Sequence, residues 1–298
     1  MKEQACLLGK TRSLVGIVTE PKAGHRPDGR PAVLLLNAGL VHRVGPNRIY
    51  VKIARRLAAN GFLVLRFDLS GIGDSRGRSD GLPLQEAVIS DAKEAMDFLA
   101  AQRGADRFIL MGICSGANNS LRVAQNDARI VGAALIEPYY FGSFRYYLYV
   151  YGKRLFKPRS WLRLLTMKSD FWTNLKKKKA GRAAATDRSR QGQTVLHRHR
   201  PLKNHITDEI RSLVTRGVHV SLVYCLDSPS YYNHYLQIRP ELDSLKQSGR
   251  LEAKVFSESD HTFTLLSNQE SLAEAIQSWA MGAVPALSSP SLKKEVVG

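Results

Sequence analysis

Five residues, Gly112-Ile113-Cys114-Ser115-Gly116, constrain this chain more than any other stretch. They follow the apolar run Phe108-Ile109-Leu110-Met111 and precede a helix-like run from Ala117 to Gln125. A buried strand, a glycine-flanked turn and a helix together push one side chain out at the end of a sheet, the setting of a nucleophile elbow. The turn is so tight that the residues two either side of its apex must be tiny. Gly112 and Gly116 meet that need for an apex at Cys114, whereas an apex at Ser115 would put bulky Ile113 in one of the slots. Cys114 is therefore the candidate nucleophile. Short motifs have many false matches, and a free cysteine is most often simply buried. Position in the chain has to decide.

Around the elbow, strand and helix signals alternate. Leu14 to Thr19 reads as an edge strand, followed by a turn through Pro27-Asp28-Gly29. Ala32 to Leu36 is continuously apolar, as in a strand buried on both faces, and it ends in Asn37-Ala38-Gly39-Leu40. Pro46 opens a helix with Ile49, Ile53 and Leu57 on one face, closed by Gly61. Phe62 to Leu65 is the next strand, leaving through Asp68 into a glycine-rich loop in which Asp74 reads as a turn residue. A helix from Leu84 to Ala101, the elbow strand, and a strand Val131 to Ile136 ending at Glu137-Pro138 follow. This alternation predicts a parallel sheet with right-handed crossovers. The rhythm returns with a helix from Thr207 to Arg216, a strand Val218 to Tyr224 running into Asp227, and a helix near Pro240 to Gln247. A strand Ala253 to Phe256, the stretch Asp260-His261-Thr262-Phe263 and a helix from Gln269 to Met281 complete it.

Between the two halves the pattern changes. The net charge is +18, and from Tyr139 to His205 seventeen Lys or Arg face only Asp170 and Asp187, a surplus of fifteen. The segment opens with aromatics, Tyr139 to Tyr151, and later carries Lys176-Lys177-Lys178-Lys179. The expected organisation is a core of residues 1–138 and 206–283, an inserted basic, aromatic cap at 139–205, and a disordered tail at 284–298. Cys6, Cys114 and Cys225 are too widely spaced for a disulfide framework or a metal cluster, and no cofactor is called for. The first residues lack the apolar core of a signal peptide and no run is long enough to span a bilayer, so a reducing cytoplasm is the expected setting.

An elbow nucleophile needs an acid and a histidine later in the chain, each in a loop just past a strand. Asp227 and His261 stand at such points, in the order Cys114, Asp227, His261. Glu137, past an earlier strand, is held in reserve as the acid. Asp260 is too close to His261 along the chain to bond its ring. His261 would take the proton of Cys114, and the acid would fix the imidazole's tautomer. Backbone N–H groups of Leu40 and Ser115 would form an oxyanion hole, and Gly39 would let the loop turn toward the site. Gly39, Arg43 and Arg48 are the candidate substrate contacts, with Asn47 between the two arginines, although basic residues at a helix start are commonly solvated.

From about residue 30 to 138 and again from 206 to 281, the chain resembles the α/β-hydrolase superfamily. The matching pieces are Leu36-Asn37-Ala38-Gly39, Arg66 to Ser75, the elbow, and Asp260-His261-Thr262-Phe263. Within the superfamily, Gly39 to Arg48 together with the elbow cysteine resembles the hydrolases associated with bacterial exosortase systems. The resemblance implies that fold, with a mostly parallel central sheet, but no defined substrate. A cysteine nucleophile attacks thioesters and activated esters well. The expected function is therefore acyl transfer from an ester or thioester, to water or to another acceptor. A non-catalytic binding protein of the same fold is the rival. The basic segment fits an acyl group on an anionic carrier or peripheral contact with an anionic membrane. No recognised nucleic-acid motif accompanies the charge, which ranks nucleic acid last.

Overall fold

A computed structural model describes residues 1–21, 29–138, 205–225 and 243–287. The basic segment from 139 to 204, Asp227 and the expected turn through Pro27 and Asp28 lie outside the described residues. Eight strands form one sheet: β1 (Lys2–Leu8), β2 (Leu14–Glu20), β3 (Ala32–Leu36), β4 (Val64–Phe67), β5 (Phe108–Ile113), β6 (Ile130–Ile136), β7 (His219–Cys225) and β8 (Leu251–Phe256). Their order is β1-β2-β4-β3-β5-β6-β7-β8. The first two pairings are antiparallel and every other is parallel.

The parallel part follows from the apolar runs. Along β3 the side chains alternate between two cores: Leu34 and Leu36 on one side, Val33 and Leu35 on the other. The helices α2 (Leu84–Arg103), α3 (Ser115–Asn126) and α4 (His205–Thr215) cover the first side. The second is covered by α1 (Ile49–Ala59) and α5 (Leu266–Leu287). Ile49, Ile53 and Leu57 are buried, as the spacing predicts. Each large apolar side chain so removed from water contributes about 1.5–3 kcal/mol.

Three local expectations are corrected. Leu14 to Thr19 is not the edge: Lys2–Leu8 pairs outside it. That strand is mostly exposed along KEQACLL, so no apolar alternation announces it. The first turn expected after Pro46 is a short 3-10 turn with Asn47 and Arg48 at positive φ, and the α-helix starts at Ile49. The last helix runs to Leu287, so residues 284–287 of the expected tail are helical despite the stop signals of Gly282 and Pro285.

This topology positions the site. β5 lies at the middle of the sheet with β3 on one flank and β6 on the other. The loops leaving β3, β5, β6 and β8 all depart from the same edge, because those strands run parallel.

Candidate active site

Cys114 sits at the apex between β5 and α3 with φ 60° and ψ −120°, a conformation that costs a non-glycine residue of order 1–3 kcal/mol. The flanking glycines are obligatory on steric grounds. A Cβ on Gly112 would lie 2.2 Å from the Gly116 carbonyl carbon, and one on Gly116 would lie 2.6 Å from the Asn37 oxygen. The strained apex is held by the ladder itself, since Cys114 N–H donates to Ile136 O at 2.8 Å.

Ser115, the neighbouring hydroxyl, has another task. Its Oγ accepts the N–H of Gly39 at 2.7 Å and so pins the loop after β3 over the elbow. With Gly39 N–H occupied, the next amide, Leu40, and the first amide of α3, Ser115, donate to no other described group. The Ser115 amide lies at a helix N-terminus, whose dipole favours negative charge.

His261 follows β8, half-buried with 13% of its side chain exposed. Its Nδ1 lies 2.9 Å from Oε2 of Glu137. The reserve acid, Glu137, is therefore against the ring, while Asp227, the acid expected there, lies outside the described residues. The reason is topological. β6 adjoins the elbow strand, and the first residue past it, Glu137, turns at φ 52° and buries its carboxylate completely. Oε1 takes the N–H of Cys225 at the end of β7, leaving Oε2 to the imidazole. The signal in the sequence was an acid immediately past a central strand, before a proline.

Burial lowers the proton affinity of His261. Hydrogen bonds to Cys114 and Glu137, and their charges, more than offset this, and the ring is pushed up to about 9. A ring so raised holds both protons at neutral pH, with Nδ1–H donating to Glu137 and the ring also hydrogen-bonded to Cys114. Burial pushes both the Cys225 and the Cys6 thiols up.

The loops are braced from behind. Asp260 accepts from Thr264 N–H at 2.7 Å and from the Thr262 hydroxyl at 2.8 Å, so it holds the histidine loop rather than the ring. Arg43, expected to touch substrate, is engaged instead by the wholly buried Asp68 and by Asp74, at 2.7 Å from the latter. Asp68 also takes Asn37 Nδ2 at 3.1 Å and Arg43 N–H at 2.6 Å, and a Cβ on Gly73 would meet its carboxylate. Asp74 is confirmed as part of this turn scaffold. Arg48 is exposed at the start of α1, and Gly39, at φ 59°, supplies the turn expected of it. Among the described residues no group of three or more His, Cys, Asp or Glu could hold a metal ion, and no helix is long and apolar enough to cross a membrane.

A strained elbow and an imidazole paired with a carboxylate, on one edge of this sheet, are the features of an α/β hydrolase. More narrowly, residues 32–218 match the family model described as serine aminopeptidase, S33, and the chain belongs to that family. Among curated relatives it is similar to human Protein ABHD12B, 30% identical over 113 residues, covering 37% of this chain and 30% of that protein. It is also similar to Esterase EstD of Thermotoga maritima, 30% identical over 129 residues, covering 42% of this chain and 30% of that protein. The match thus spans less than a third of the length of either. Solved structures with the same fold include an esterase of Pyrococcus furiosus, at a TM-score of 0.60 and 13% identity, covering 95% of this chain and 92% of that one. An alpha-beta serine hydrolase homologue from Coxiella burnetii follows, at 0.55 and 15%, covering 93% and 97%.

Proposed function

We propose that the chain is an esterase or thioesterase that works through an acyl-cysteine, with Cys114 as nucleophile, His261 as proton carrier and Glu137 as the acid that orients it. The observation that carries this reading is the hydrogen-bonded chain Glu137–His261–Cys114 at the strained elbow. In the first half-reaction the Cys114 thiolate attacks the carbonyl carbon, an S–C bond forms, and the carbonyl electrons move onto oxygen. Leu40 and Ser115 N–H groups meet that oxyanion, each worth ~3–4 kcal/mol in comparable sites. Collapse breaks the bond to the leaving alkoxide or thiolate, which takes the proton of His261. In the second, water gives a proton to His261 and attacks the acyl-cysteine, and the thiolate leaves. Throughout, Glu137 keeps the ring in one tautomer and balances its charge.

The family's description names a serine, and the two esterases among the similar proteins support ester chemistry. Cys114 directs that chemistry toward thioesters and activated esters, and an acyl acceptor other than water is the variant to test beside hydrolysis. The aromatic side chains and surplus charge of 139–205 support an acyl group on an anionic carrier. A panel of neutral esters and acyl thioesters tests the reading. Turnover should fall at least 10³-fold in Cys114→Ala; undiminished turnover in that variant overturns it.

A further inference from the structure

Among the described residues Tyr50 and Tyr224 are the largest fully buried side chains, and the catalytic cycle just described does not use Tyr50. Its hydroxyl donates to Leu36 O at 2.9 Å and accepts Ile113 N–H at 2.9 Å. Those two groups stand where the pairing of β3 with β5 stops: Leu36 belongs to the last aligned pair, with Gly112, and Ile113 is the next residue of β5. Beyond that point β3 becomes the oxyanion loop and β5 becomes the elbow. A phenol thus replaces the ladder where the two functional loops part. Burial keeps that phenol protonated by pushing its proton affinity well above the usual range.

The backbone before Tyr50 is shaped to deliver it. Gly45 (φ 72°), Asn47 (φ 49°) and Arg48 (φ 61°) are all in left-handed conformations, and a Cβ on Gly45 would lie 2.6 Å from the tyrosine ring. The same turn reaches the third catalytic loop, because Asn47 Nδ2 donates to Thr262 O at 3.1 Å, next to His261.

We infer that the turn Gly45 to Tyr50 is a positioning device for acyl transfer: the Tyr50 hydroxyl fixes the oxyanion amide of Leu40 against Cys114, and Asn47 fixes the histidine loop against both. Neither residue touches the reacting atoms; each acts through the backbone it holds. The inference rests on the acyl-cysteine reading, and its test separates the two. A misplacement on the ångström scale costs about 10²-fold in rate. Tyr50→Phe should therefore lower kcat roughly 10–100-fold with KM little changed. Alkylation of Cys114 by iodoacetamide, which needs the thiolate but no oxyanion amide, should proceed at the wild-type rate. A trifluoromethyl ketone, which engages the oxyanion amides, should bind more weakly by the same factor as kcat. Wild-type kcat in folded Tyr50→Phe overturns the inference and leaves the acyl-cysteine reading standing; full activity in Cys114→Ala removes both. Should Tyr50→Phe not fold, Asn47→Ala, at an exposed position, takes its place: a severalfold loss of kcat at constant KM supports the device, and an unchanged kcat overturns it.

Discussion

At the scale of single residues, the two partners of His261 set distinct expectations. Replacing the orienting acid of such a triad lowers kcat by up to about 10⁴ while substrate affinity stays near its original value. Glu137→Gln should show that loss and Asp227→Asn should not, in steady-state assays of both variants; the opposite pattern would return the acid to the loop after β7. Because the His261 ring is raised from 6.5 to about 9, kcat/KM should fall as pH rises through about 9, and Glu137→Gln should move that limb to lower pH. The sign for stability is the same: the gain from His261 is complete below pH 6.5 and is lost as pH rises through about 9, which thermal melts across that window will read. Sub-stoichiometric iodoacetamide should label Cys114 ahead of Cys6 and Cys225, whose thiols burial pushes up. That Cys114, Ser115, Leu40 and His261 stand in loops at one sheet edge was legible in the sequence, because each has a local signature: tiny flanks, a helix start, a strand end. The acid was less legible, because two carboxylates stood just past two neighbouring strands. Spacing along the chain cannot say that Glu137 turns inward; its positive φ and its bond to the N–H of Cys225 do.

Among the elements, the loops at the catalytic edge depend on close approaches that tolerate no added atom. Gly116→Ala would place a methyl 2.6 Å and 2.7 Å from the carbonyl oxygens of Asn37 and Leu36, so it must push β3's end away from the elbow. Loss of activity together with ~1–3 kcal/mol of stability is expected from calorimetry and turnover on the same sample. Arg43 gives a contrasting prediction. Removing it leaves the buried Asp68 with its amide partners but without its cation, at a cost of about 2–3 kcal/mol. Arg43→Ala should therefore lower Tm by roughly 5–10 °C with KM nearly unchanged, whereas a substrate contact would raise KM without touching Tm. The alternation of apolar runs made the parallel strands and their helices readable, since burial on both faces leaves no polar residues to blur the pattern. β1 escaped notice for the opposite reason: an exposed edge strand needs only backbone pairing, and KEQACLL carries no period.

For the molecule as a whole, charge and chemistry are separable. The catalytic edge is assembled from the parallel core, while the positive surplus lies in the segment that leaves it after Pro138. On the proposed reading an anionic thioester should show an apparent KM that rises with salt, since attraction of this kind is screened over ~8 Å at physiological ionic strength. A small neutral ester should show none of this rise, and glutamine at Lys176 to Lys179 should flatten the salt profile without changing the chemical step. Identical salt profiles for both substrates would detach the basic segment from catalysis. Fold class was readable at this scale from four motifs in order, but substrate was not, because an acyl carrier is recognised by surface shape and charge that no short motif encodes. The central claim is that the thiol at the elbow carries the acyl group. Intact-mass spectrometry of the protein mixed with an acyl thioester, followed by peptide mapping, tests it most directly. One acyl increment on Cys114, accumulating further in Glu137→Gln if deacylation is the slower step there, is the predicted result; an increment on Ser115, or turnover with no adduct at Cys114 and full activity in Cys114→Ala, would contradict it.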